Sequence, residues 1–225
     1  MNKASLIASA AAATLAGAAF ADFTGFSGVA SQYNDGITNW QVIDMYANFN
    51  TDGTEAVLNV YNAEIGTSDG LGFNHNDLAD AQGGSWKPSF SFEVPGVYDP
   101  MRDSYVDIGY GVGAAAALNQ TALDPNFGTG LGANIPSGAG WFNLTPDNPR
   151  YANGGSLHIG HFVWDSSRSD GNELNFFTFT ADIGYNEGPG SEVSFGSGSY
   201  TWDIPAPGAL ALLGLGGIVA RRRRA

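Results

Sequence analysis

Hydrophobic and polar positions along the chain fall into three regimes. In the middle they alternate over short runs, the period-two signature of strands with one face turned to a core. "WQVIDMYANF" (Trp40–Phe49) places Ile43, Met45, Ala47 and Phe49 on one face and Trp40, Val42 and Tyr46 on the other. A strand apolar on both sides belongs in the interior of a layered sheet structure. A second run, Ala56–Ile65, follows "NTDGT", whose Asp52-Gly53 step supplies the positive φ of a hairpin turn. Further strands are predicted at Ser89–Val94, Ser104–Val112, Ser156–Asp165, Asn175–Tyr185 and Glu192–Ile204, with Gly140–Leu144 a shorter strand-like piece. "DSSRSDGNE" (Asp165–Glu173) reads as a hairpin loop between two of them. Gly66–Pro88 and Gly113–Asn153 are irregular, with a single helical turn predicted at Asp77–Ala81. Short strands with turn-rich joins predict an all-β chain, a single antiparallel β-sandwich or jelly-roll domain over Asp22–Ile204.

The two ends break this pattern. "MNKASLIASAAAATLAGAAFA" has Lys3 near the front, an apolar Leu6–Phe20 stretch, and small residues, Ala19 and Ala21, on either side of Phe20. A positive start, a short apolar run and an A-x-A site form a secretory signal peptide, cut after Ala21. At the other end, Gly208–Ala220 carries no charged or hydrogen-bonding side chain. Wound as a helix it reaches about 20 Å, and counting back to Ile204 brings it to the lower edge of a membrane span. Arg221, Arg222, Arg223 and Arg224 follow it directly. Positive flanks stay cytoplasmic, so the expected topology holds the carboxyl end inside and the body outside.

Pro205-Ala206-Pro207, a brief glycine-containing apolar segment and a terminal arginine cluster, in that order, resemble the PEP-CTERM sorting signal of exported proteins in bacteria with an outer membrane. The resemblance covers the last 21 residues, 205–225. It implies a transient inner-membrane anchor that is recognised and removed by an exosortase, a membrane-embedded cysteine protease or transpeptidase. The body then goes to the cell surface or the extracellular polysaccharide matrix. On this resemblance Pro205, Ala206 and Pro207 are the sorting motif and Arg221–Arg224 the cytoplasmic stop. Ala206 stands where the family usually has glutamate, which leaves open the processing enzyme and, as an alternative, a permanent anchor.

Charge sharpens the division. The whole chain carries −13, but all 22 acidic residues lie in the body, and of the nine basic residues only Lys87, Arg102, Arg150 and Arg168 do, so the body alone carries −18. Such a surface repels nucleic acid and attracts cations or basic partners. The absence of cysteine excludes disulfides, cysteine–zinc sites and a thiol nucleophile. With 32 glycines, about double the usual share, the composition favours strands joined by tight turns.

Candidate chemistry is sparse. Asn50, Asp52 and Glu55 cluster in one loop, and Asp165, Asp170, Asn172 and Glu173 in another, which makes calcium the candidate cofactor and Asp52, Asp165 and Asp170 its candidate ligands. Neither loop has the full twelve-residue calcium pattern, and Asp-Gly is an ordinary turn dipeptide. Trp86 in "GGSWKP" and Trp141 in "GAGWFNL" sit in loop-like surroundings and are candidate platforms for a sugar ring, with a core role as the competing reading. His158 and His161, three apart on a strand, are expected on opposite faces and therefore unable to share a metal. His75 reads as a surface loop histidine, with Asp77 within reach as a partner. No G-x-S-x-G elbow or phosphate-binding glycine loop is present. The expectation is a non-enzymatic exported protein, structural or adhesive. A module binding extracellular polysaccharide and an extracellular hydrolase built on paired carboxylates are the alternatives.

Overall fold

The computed structural model describes residues 22–50, 53–75, 86–88, 93–95, 98–109, 121–127, 134–145, 150–169, 171 and 174–205. The expected signal peptide with Ala19 and Ala21, the anchor and its arginines, the helical turn at Asp77–Ala81, and Asp52, Asp170 and Ala206-Pro207 lie outside these residues. Among the described residues, no helix is long and apolar enough to cross a membrane.

The described residues are all-β. Among them nine strands run in order: β1 (Phe23–Asn34), β2 (Asn39–Phe49), β3 (Ala56–Thr67), β4 (Tyr105–Val106), β5 (Thr121–Leu123), β6 (Ala139–Asn143), β7 (Ser156–Asp165), β8 (Phe177–Asn186) and β9 (Ser194–Trp202). They form two antiparallel sheets, a four-stranded one in the order β1-β2-β7-β4 and a five-stranded one in the order β5-β6-β3-β8-β9.

Alternation builds the core between them. Ile43, Met45, Ala47 and Phe49 of β2 all point inward, as their spacing predicts, and meet Phe177, Phe179, Ala181 and Ile183 of β8 within one cluster. Each fully buried Ile, Phe or Met side chain contributes about 1.5–3 kcal/mol. Aromatic contacts tie the sheets together: Phe26 to Phe179 at 4.9 Å, Phe162 to Phe177 at 5.6 Å, and Trp164 stacked on Phe177 at 5.7 Å. Val42 and Val163, paired across β2 and β7, are buried as well but stand outside this cluster. They explain why β2 is apolar on both sides.

Two expected hairpins are absent. β2 and β3 belong to different sheets, so the Asp52-Gly53 loop carries the chain from one layer to the other. Gly53 keeps the expected positive φ, 112°. The same holds for the loop after Asp165, because β7 and β8 also lie in different sheets. A tight turn constrains only local direction; both strands bury more by pairing with distant partners around a shared core.

β1 and β9 are the long outer strands, and they lie against each other across the layers. A Cβ on Gly28 of β1 would stand 2.5 Å from the Tyr200 ring, and one on Gly196 of β9 would stand 2.5 Å from Phe23. These glycines permit a contact that any side chain would block. β9 ends at Trp202, Ile204 packs against the core, and Pro205 is exposed.

Candidate functional site

The densest chemistry lies on the side of the four-stranded sheet that faces away from the core. Asp44 of β2 accepts from His161 Nδ1 at 2.6 Å and stands 3.3 Å from His158 Nε2. The other nitrogen of His158, Nδ1, reaches Asp107 Oδ2 at 2.8 Å. The side groups form one chain, Asp107–His158–Asp44–His161.

Both histidines project to the same face, contrary to the expectation from their odd spacing. Asp44 pairs with His161, Met45 with Gly160 and Tyr46 with His158, so Ile159 is an extra residue on β7 with no partner on β2. This β-bulge resets the alternation and turns His158 and His161 to the same side. Gly160 makes room for it: a Cβ there would lie 2.8 Å from the Phe162 ring.

Burial grades along the chain of groups. The Asp107 side chain is fully shielded, His161 nearly so at 7% exposed, His158 19% and Asp44 28%. Asp107 is held by the Gly109 N–H at 2.8 Å, while its own backbone carbonyl accepts from Trp141 Nε1 at 2.9 Å. Tyr105 stacks on the His161 ring at 5.0 Å, and Tyr46 meets His158 edge-on at 5.3 Å. His161 Nε2 is buried with no hydrogen-bond partner among the described residues.

The electrostatics lock the protons in place. Burial opposes charging the His158 ring, but Asp107 beside it, through charge and hydrogen bond, with Asp44 on the other side, raises its pKa from 6.5 to about 10. Burial likewise opposes ionising Asp44, yet the bonds from His158 and His161 hold its carboxyl well below the usual range. Burial and the nearby Asp107 and Asp44 carboxylates push the Tyr105 hydroxyl up. A general acid or base works best with a pKa near the operating pH. An imidazolium fixed between two carboxylates stays charged through neutrality, so this group is a clamp joining β2, β7 and the segment after β4.

The remaining predicted residues are placed as follows. Trp86 and Trp141 are 3% and 1% exposed and belong to the core, so neither presents a face to a sugar ring. Trp141 lies on strand β6, and Trp86 stacks on His75 at 4.3 Å with an 11° interplanar angle. His75 is buried rather than at the surface: its side chain is 1% exposed, with Nδ1 3.0 Å from Asp103 Oδ1 and 2.9 Å from the Ser104 carbonyl. Asp165 accepts the Ser167 N–H at 2.8 Å, an ordinary Asx turn. Asn50 follows the far end of β2, whereas Asp165 pairs with Trp40 at its start, so these two candidate residues stand at opposite ends of that strand. Among the described residues, no three His, Asp or Glu side chains are arranged to hold a metal.

Two arginines act as staples. Arg168 sends its fork to Asp69 and Thr67 and donates to the Gly72 carbonyl, bracing the loop after β7 against the end of β3. Arg102 reaches Asp35 at 3.0 Å and Asp99 at 3.4 Å, and Tyr33 donates to the same Asp99 at 2.8 Å. These contacts fix the segment before β4 over β1 and the β1–β2 turn. No protein-family model matches this chain, and no curated protein or solved structure does so either.

Proposed function

We propose that the two sheets form a jelly-roll β-sandwich, and that it is the cargo of an export route whose two addresses are written at the ends of the chain. The pairs β2–β7 and β3–β6 nest one inside the other, which is the connectivity of a jelly roll. The signal peptide directs the chain out and is cut after Ala21. Pro205-Ala206-Pro207 then presents an extended segment, Gly208–Ala220 lies in the inner membrane, and Arg221–Arg224 hold the end inside. An exosortase-type enzyme releases the body to the surface or the polysaccharide matrix, where it serves as a structural or adhesive component rather than an enzyme.

One observation carries this reading: an apolar run closed by Ala19 and Ala21 precedes the strands of the described residues, and Pro205-Ala206-Pro207, an apolar run and Arg221–Arg224 follow them. The exposed Pro205 follows the last strand by three residues, which supports access to the chain at that point. The Asp107–His158–Asp44–His161 clamp supports a structural role, since it joins β2, β7 and the segment after β4 and its His158 stays charged between two carboxylates.

Fractionation of the native host tests the proposal. The wild-type body is expected outside the inner membrane, and replacing Arg221–Arg224 by alanine is expected to change the ratio of released to retained protein. A body that stays in the cytosol in both cases refutes the export reading.

A further inference from the structure

We infer that the flank formed by β1 and β9 is a self-association surface, on which two copies of this chain join β9 to β9 in antiparallel fashion. Edge strands expose alternate N–H and C=O groups, and proteins usually guard them with charge, proline or short length. Among the described residues two edges are guarded by length: β4 has two residues and β5 has three. The other two are long, β1 with 12 residues and β9 with nine, and neither contains an Asp, Glu, Lys, Arg or Pro. The long interior strands all carry an acid: Asp44, Glu64, Asp165 and Asp182 on β2, β3, β7 and β8. In a body of −18, the two unguarded edges are the long strands left neutral.

The occupant is a second copy because β9 complements itself. Pairing about Gly198 sets Tyr200 opposite Gly196 of the other copy, Phe195 opposite Thr201 and Trp202 opposite Ser194. Every aromatic residue of the strand meets a small one, and each side chain keeps its face of the sheet. A neutral strand also meets the same neutral strand without the repulsion that two −18 bodies impose elsewhere. β1 stands on the same flank, with Phe26 across from Gly198, and runs in the same direction as β9. The two-fold axis that joins β9 to its copy therefore also brings β1 beside its own. Such an interface uses the same patch on both copies and closes at two.

Light scattering of the full-length chain in mild detergent tests this, with Ser199→Lys as the probe and Thr180→Lys as the control. Ser199 and Thr180 are exposed neighbours on the outer side of the five-stranded sheet, one on the edge and one inside it. The wild type and the Thr180→Lys variant are expected at twice the chain mass, and Ser199→Lys at the single mass, with dimer affinity down at least tenfold. The chain has no native cysteine, so a mixture of Ser197→Cys and Ser199→Cys chains is expected to form a mixed disulfide under mild oxidation. That second readout stands even if the lysine variant misfolds. A monomeric wild type overturns the proposal, as does a dimer that survives Ser199→Lys (association through the apolar tail) with no mixed disulfide.

Discussion

The Asp107 carboxylate, wholly removed from solvent, meets Nδ1 of His158 at 2.8 Å. A buried carboxylate of this kind is tolerable only while its partner stays charged, because an uncompensated charge in the interior is strongly destabilising. Asp107→Asn is therefore expected to destabilise the fold by about 3–5 kcal/mol, since it leaves the imidazolium short of its principal counter-charge. Urea unfolding followed by tryptophan fluorescence measures this; a loss under about 1 kcal/mol contradicts the clamp.

The same pair sets a pH dependence. His158 holds its proton up to about pH 10 in the fold, against an ordinary value of 6.5, so its contribution is complete below pH 6.5 and disappears as pH rises through 10. Asp44, depressed by its two histidines, contributes above its ordinary 3.8 and loses that contribution as pH falls. Stability is expected to peak between about pH 4 and 6.5 and to decline on the alkaline side by on the order of 1 kcal/mol per pH unit. His158→Gln should flatten the alkaline decline. Parallel alkaline limbs in wild type and variant count against the assignment.

Much of this body is legible in the sequence. β2, β3 and β6–β9 lie within about two residues of their predicted limits, because each has a continuous or alternating apolar face. β1 gives no such signal: of its side chains only Phe26 is buried, and glycines interrupt the alternation. Sheet membership was hidden too, because Asp52-Gly53 announces a turn without saying which strands it separates. The histidine clamp escaped the alternation rule through the single extra residue at Ile159. The glycine in "HIGH" was the available sign, since a glycine inside a strand often marks a bulge.

Arg168 offers a test of geometry against charge. Its fork bonds Asp69, whose carboxyl it holds down to about 2 with help from Thr67 and the Leu71 N–H. Lysine keeps the charge but cannot bond Asp69, Thr67 and the Gly72 carbonyl together. Arg168→Lys is expected to lower stability by roughly 1–3 kcal/mol. A melting temperature equal to that of the wild type would show that the charge alone suffices.

Close approach of β6 to β3 rests on Gly140. A Cβ there would stand 3.0 Å from the Val60 carbonyl and 3.3 Å from Tyr61 Cα, both backbone atoms that cannot swing aside. Gly140→Ala is expected to cost about 1–3 kcal/mol through strain in the five-stranded sheet. Gly66→Ala, where an added Cβ meets no atom within 4 Å, serves as the control and should be close to neutral. Calorimetry of the two variants ranks them; the reverse order contradicts the packing described.

The export route is tested most directly by the intact mass of the protein that cells release. The account predicts a chain that starts at Asp22 and ends before Gly208, with no peptide containing Arg221–Arg224. A released or cytosolic protein that keeps residues 1–225 whole contradicts it.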